Sequence, residues 1–277
     1  MTSIPGNQVT GTVASATNAS TLNGQSSSDI ISAASDEVRA PISSLPFTIN
    51  SPGSYYLTDN LTYSSSTGNA ITVNVNNVTI DFNGFAITGP GNSFGTPNGV
   101  WMNYRSNVEI KNGTITQFGA YGILEGGGTG VGNRIINMRI VDNGSASFDG
   151  IYLLSPASLV RDCSVGKNGR YGIYVATGSV VTGNTAYKNK SDGIVAAFGG
   201  STVAGNATYL NDGNGITAAV GATVKNNTAS NNGYYGINLS GSNLVDGNTA
   251  VDNDTAGGYG DMTTCGTCVF GDNVPQL

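Results

Sequence analysis

Six charged residues sit where acid–base chemistry could be done: Lys167, Arg170, Lys188 and Lys190 as bases or cations, Asp149 and Asp192 as carboxylate partners. In its uncharged form a basic side chain with a carboxylate partner can take a proton in the transition state. The same charges stacked as opposite pairs on a solvated corner would contribute under about 1 kcal/mol per pair. No two Asp residues recur at a spacing that forces carboxylates together, the arrangement a glycoside hydrolase needs. A second set is aromatic. Trp101, Tyr152 and Tyr174 share one register position with Leu124 and Val195, and Tyr121 and Tyr171 share a neighbouring one with Tyr235. Flat rings in a row suit stacking on sugar rings or burial against another subunit, and both readings stay open.

Other motifs offer less chemistry. Asp252, Asp254 and Asp261, in DND and GGYGD, resemble acidic calcium turns without matching a full calcium loop. Calcium is therefore a candidate and no other cofactor is expected. Cys265 and Cys268 form a CxxC with no helix-forming sequence after it, against a thioredoxin-like motif. With no His and only Cys163 left, a zinc site lacks ligands. A local disulfide or two free thiols remain.

These residues must be positioned by a repeat. Gly-Ile or Gly-Val begins at Gly99, Gly122, Gly150, Gly172, Gly193, Gly215 and Gly236, in steps of 23, 28, 22, 21, 22 and 21. A period near 22 marks a solenoid. Each unit holds short apolar alternations separated by Gly, Asn, Asp and Ser, which is strand-and-turn chemistry. Ile173 and Val175 share one face of GIYVA, with Tyr174 on the other. A second strand carries Val160, Val181, Val203, Val224 and Val245. A third carries Val165, Ala186, Thr208, Ala229 and Ala250. Three short strands per coil describe a parallel β-helix with coils about 4.8 Å apart. Two asparagine columns follow the period: Asn184, Asn206, Asn227 and Asn248, and Asn143, Asn168, Asn189, Asn211, Asn232 and Asn253. Stacked amides at strand spacing hydrogen-bond coil to coil, so they read as structural ladders. Cys163 fills the first column one coil earlier, as a small buried hydrophobe.

The coils GI…V..N…N, with the upstream PISSLPFTINSPGSYYLTDNLTY and ITVNVNNVTIDFNGFAITG, resemble the right-handed parallel β-helix repeats of the pectin-lyase-like superfamily over residues 41 to 262. That resemblance implies an all-β, right-handed solenoid of about eight coils of roughly 22 residues. It is specific for fold and not for activity, because the superfamily spans lyases, hydrolases, epimerases, tailspikes and non-catalytic surface proteins. Its lyases pair a base with cations that neutralise a carboxylate, and their clefts lie along an outer sheet walled by long loops. Here the excursions 89–97, 126–133 and 144–148 are short and rich in small residues, a shallow wall at best.

Residues 1–40 form an arm rich in Ser, Thr, Ala and Asn, without an aromatic or the repeat. It suits an assembly or capping segment, with SSDIISAASDEV as a short capping helix. Residues near 25 to 60 are expected to cap the first coil, and residues 263–277 form a tail. A net charge of −6 argues against nucleic acid and anionic membranes as partners, and no apolar run is long enough to span a bilayer. The segment MTSIPGNQVTG has neither the basic nor the apolar region of a signal peptide, so export would rely on a lost leader or on lysis. The composition points to an extracellular, cell-surface or virion protein. The first functional reading is a non-catalytic β-helix that binds polysaccharide, assembles as a homo-oligomer (a trimer or fibre), or both. The alternative is a polysaccharide lyase acting on a uronate-containing polymer.

Overall fold

The computed structural model describes residues 21–22, 25–26, 39–127, 129–145, 147–263 and 265–274. The chain divides into two compact units, Met1–Ala40 and Pro41–Leu277. In the first, Thr21–Leu22 pairs antiparallel with Gln25–Ser26. The capping helix read from SSDIISAASDEV lies outside the described residues. The second unit is a parallel β-solenoid of about ten turns, and no described residue is helical.

One face is a nine-stranded parallel sheet. It runs Phe47–Ile49, Asn69–Val73, Asn98–Trp101, Ile123–Glu125, Ile151–Leu153, Ile173–Val175, Ile194–Ala196, Ile216–Ala218 and Ile237–Leu239. A bridge from Ile237 to Met262 opens a further partial turn. The count exceeds the eight coils expected because the first two coils begin with FTI and AITV rather than Gly-Ile. Residues 47–60, expected within the cap, instead belong to the first coil, which runs on to Thr62: Phe47, Gly53 and Leu61 pair in register with Ile71, Val78 and Ile87. At the other end, Val269–Phe270 pairs with Leu244–Val245.

The second and third faces meet at a single residue in left-handed backbone: Asn112, Asn137, Asp162, Gly183, Gly205, Asn226 and Gly247 in successive coils. Asn, Asp and Gly fill this corner because they pay least for positive φ. One long strand, Val108–Thr116, wraps the corner and pairs with both faces of the coil before it. Inside, Ile123, Ile151, Ile173, Ile194, Ile216 and Ile237 are fully buried, as are Val160, Val181, Val203, Val224 and Val245.

The Gly-Ile motif and the second asparagine column turn out to be one device. Each Asn carboxamide donates to the next: Asn168 Nδ2 to Asn189 Oδ1 at 3.0 Å, Asn189 to Asn211 at 2.9 Å, Asn211 to Asn232 at 2.9 Å. The same Oδ1 atoms accept from backbone amides of the preceding coil, such as Asn168 N at 3.1 Å. A Cβ on Gly172 would lie 2.6 Å from Asn189 Nδ2 and 2.6 Å from Gly193 O. The glycine is there to let the amide ladder and the neighbouring coil approach. The first column behaves likewise, with Cys163 N donating to Asn184 Oδ1 at 2.9 Å. Burial pushes the Cys163 thiol up to about 12.

Candidate functional site

The outward register Trp101–Leu124–Tyr152–Tyr174–Val195–Thr217–Asn238 runs along the nine-stranded face, one residue per coil. Its inward neighbours fill the core, so these side chains point out. They are not fully exposed, however: the aromatic members are half-buried and Val195 is 8% exposed. The aromatic section is therefore a short patch, ended by Val195 on one side and polar after it.

The residues just before each Gly-Ile form the adjoining column: Tyr121, Asp149, Tyr171, Asp192, Asn214 and Tyr235. Together the columns assemble one cluster. Tyr121 lies 5.4 Å from Tyr152, Tyr152 lies 4.8 Å from Tyr174, and Tyr171 stacks on Tyr174 at 5.9 Å with planes 27° apart. Phe148, from the 144–148 excursion, meets Tyr121 edge-on at 5.1 Å. Trp101 is not part of it, because Leu124 separates it from Tyr152 in the register.

Asp149 is the anchor. Its side chain is fully buried, and it receives Arg170 as a fork: Nε to Oδ1 and Nη2 to Oδ2, both 2.7 Å. Tyr171 N adds a third bond to Oδ1 at 3.0 Å. So held, the guanidinium lies 4.8 Å over the Tyr171 ring and 5.8 Å over that of Tyr152, a cation–π placement. The hydrogen-bonded pairing with Asp149 raises Arg170 further above its already high range. Burial lifts the Asp149 carboxyl above its usual range against the pull of Arg170. A carboxylate engaged by three donors positions Arg170 and is poorly placed to take a substrate proton. The phenols of Tyr121, Tyr152, Tyr171 and Tyr174 are all pushed up, first by desolvation, and stay neutral donors near pH 7. The site thus presents neutral rings, phenol hydroxyls and one fixed cation.

The other candidates stand apart from this cluster. Asp192 brackets the turn two coils on, accepting from Asn214 N at 2.9 Å and Thr217 Oγ1 at 2.6 Å. Lys190 pairs with Asp212 at 3.2 Å, both exposed. Lys167, Lys188 and Lys190 line a separate depression around the corner with Asn92, Ser93, Asp142 and Ser145. The sequence reading that grouped Arg170 with these lysines is corrected: the fork to Asp149 draws Arg170 onto the tyrosine face. Asp261 ends the second asparagine ladder by accepting from Asn253 N at 2.9 Å, Asp254 Oδ2 accepts from Gly258 N at 3.1 Å, and Asp252 holds a left-handed bend. Cys265 and Cys268 are disulfide-bonded.

Two features were missed in the sequence. Phe148 had no signal beyond being the one aromatic in its excursion. Glu125 carries a carboxylate at a position filled by Leu153 in the next coil, and it is fully buried. It accepts from Tyr104 N at 3.3 Å and Ser155 N at 2.6 Å, tying down two turns beside the tyrosines. Described residues of the excursions bond back to the coils. Asn92 reaches Asp142 at 2.8 Å, Ser145 N reaches Gly119 O at 3.1 Å, and Gly126 N reaches Asn103 Oδ1 at 2.6 Å.

The family described as the right-handed β-helix region matches residues 48–208 and 129–274. The chain belongs to that family. No curated protein matches it significantly in sequence. Among solved structures, the A-module of the Azotobacter vinelandii mannuronan C-5 epimerase AlgE6 superposes with a TM-score of 0.65 at 15% identity, over 85% of this chain and 73% of that one. ORF18 of Geobacillus virus E2 gives 0.68 at 12% identity, over 85% and 53%. The Dettilon tailspike protein gp208 gives 0.57 at 18% identity, over 84% and 58%. At these identities the likeness is one of fold. No described helix is long and apolar enough to cross a membrane.

Proposed function

We propose that this protein is a non-catalytic, polysaccharide-binding β-helix whose sugar-contacting face is the Tyr121–Tyr152–Tyr171–Tyr174 cluster with Arg170. The observation that carries the reading is the buried Asp149 fork, which fixes a guanidinium over two ring faces on an outward sheet. Rings of this kind stack on the apolar faces of sugars, while phenols and a fixed guanidinium supply hydrogen bonds to their hydroxyls. Solved relatives in fold carry the names of a mannuronan epimerase and a tailspike, which supports a polysaccharide partner and an extracellular or virion setting. Arg170 favours a second reading, a lyase acting on a uronate-containing polymer, since a fixed cation beside phenols could neutralise a sugar carboxylate. The third reading makes the tyrosine patch a subunit interface in a trimer or fibre.

Binding of neutral and uronate polysaccharides, compared between the native chain and Tyr152→Ala/Tyr174→Ala, separates these readings. Sugar binding lost in the double variant, with no rise in absorbance from unsaturated product, supports the proposal. Turnover abolished by Arg170→Ala establishes the lyase. A native oligomer that the double variant dissolves, with no sugar bound by either, establishes the interface.

A further inference from the structure

The corner between the third face and the nine-stranded face turns on one left-handed residue per coil: Gln117, Asp142, Lys167, Lys188, Leu210, Asn231 and Asp252, with φ between 52° and 63°. Such backbone favours Asn, Asp or Gly, so the bend itself gives no reason for lysine in two successive coils. Nor does charge pairing. Asp142, the column neighbour of Lys167, lines the same depression, but its carboxylate is taken up by Asn92 Nδ2 at 2.8 Å and by Gln117 Nε2. Among the described residues no carboxylate pairs with Lys167 or Lys188, while Lys190 has an exposed partner in Asp212. The two lysines thus stand on backbone positions that repeat near the strand spacing of about 4.8 Å, close enough for their like charges to repel.

They do so around a depression of about 680 Å³. The 89–97 and 144–148 excursions supply its wall through Asn92, Ser93 and Ser145, with the Asn92 amide donating to Asp142 at 2.8 Å and the Ser93 hydroxyl to Asn92 Oδ1 at 3.2 Å. Three of the chain's 11 Lys and Arg residues meet here, in a protein of net charge −6. The local positive field attracts an anionic ligand, while the net negative charge of the rest of the protein disfavours an extended anionic surface.

We propose that this depression is an oxyanion subsite, distinct from the tyrosine face, that holds successive acidic groups of a polymer. Lys167 and Lys188 each meet one carboxylate or sulfate, relieving their mutual repulsion, and the Ser145 hydroxyl and the second N–H of the Asn92 amide donate to the remaining oxygens. The subsite stands whether or not the tyrosine cluster carries sugar, because its ligand is recognised by its acid groups and its variants leave every tyrosine in place.

The test is calorimetric titration of the full chain with oligogalacturonate, dextran sulfate and neutral dextran at about 50 and about 200 mM salt. The variants are Lys167→Asn/Lys188→Asn, using the residue that already occupies this bend at Asn231, and Lys225→Asn on the second face as a control. The native chain should bind at least one acidic probe. The double variant should bind it about tenfold or more weakly, with the slope of log K against log salt reduced by about 0.7 per lysine removed. The control should match the native chain. Binding of the uronate alone identifies a carboxylated ligand, binding of dextran sulfate alone a sulfated one, and binding of both an oxyanion polymer in general. Failure of the native chain to bind either acidic probe, an unchanged double variant, or equal weakening by Lys225→Asn overturns the proposal. Loss of dextran binding in Tyr152→Ala/Tyr174→Ala is read separately and bears only on the tyrosine face.

Discussion

Replacing Asp149 by Asn removes one charge and leaves the side chain its size. The new Oδ1 can still accept from Tyr171 N and Arg170 Nε, but the amide nitrogen then faces Arg170 Nη2, where a 2.7 Å bond stood. A donor facing a donor opens the fork. Hydrogen bonds to charged groups contribute about 1.5–3 kcal/mol each. The Arg170 side chain is 34% exposed and can turn to water, which lowers the cost of losing its partner. Asp149→Asn should therefore destabilise the solenoid by about 2–3 kcal/mol, and Arg170→Gln by a similar amount. The two losses should not add. A double-mutant cycle by urea unfolding should give a coupling of about 1–3 kcal/mol, because each change removes the same pair. Released from Asp149, Arg170 leaves the faces of Tyr152 and Tyr171, and sugar affinity should fall about tenfold as a cation–π and positioning contribution is lost. A coupling below about 0.5 kcal/mol, or full sugar affinity in Asp149→Asn, would refute the assignment of Asp149 as the residue that positions Arg170.

Three further outcomes follow from the same structure. Ile173→Ala, at a fully buried position, should cost about 2–5 kcal/mol in urea unfolding while leaving sugar binding intact after refolding. Asn189→Ala removes bonds to Asn168 N, Asn168 Nδ2, Val165 O and Asn211 Oδ1, so it should cost about 2–5 kcal/mol; a loss under 0.5 kcal/mol on that order would mean the ladder is not structural. Because burial raises Cys163 from 9.0 to about 12, the folded thiol keeps a proton that the unfolded chain releases. Its contribution is complete below pH 9.0 and is lost as pH rises through about 12, so stability should decline across that window in the native chain and less so in Cys163→Ala. At pH 8 a thiol reagent should label Cys163 only after unfolding.

The solenoid was legible because its period is written in residue types with little freedom. Gly172 must admit Asn189, Asn189 must bridge to Asn168 and Asn211, and Ile173 must face inward, so one step of the repeat fixes the next. The first two coils were undercounted since Phe47 and Ile71 begin strands without the glycine that marks later ones. The outward tyrosine row was also legible, as a strand alternates its faces. What the sequence did not reveal was which way long side chains turn at a corner. Arg170 and Lys190 stand one bend position apart in successive coils, yet the first folds onto Asp149 and the second onto Asp212. That choice depends on a buried carboxylate being within reach, a matter of three-dimensional placement that spacing leaves open. Glu125 escaped notice for a related reason: a charge at a core position is only explained once the amides of Tyr104 and Ser155 are seen converging on it.

A crystal structure of the chain with an oligosaccharide chosen from the polymers it retains tests the central claim most directly. Density for a sugar ring lying on Tyr152 and Tyr174, with a hydroxyl or carboxylate within hydrogen-bonding reach of Arg170, is the predicted result. A well-occupied oligosaccharide bound elsewhere on the solenoid, with the tyrosine face empty and unobstructed in the lattice, would contradict the account.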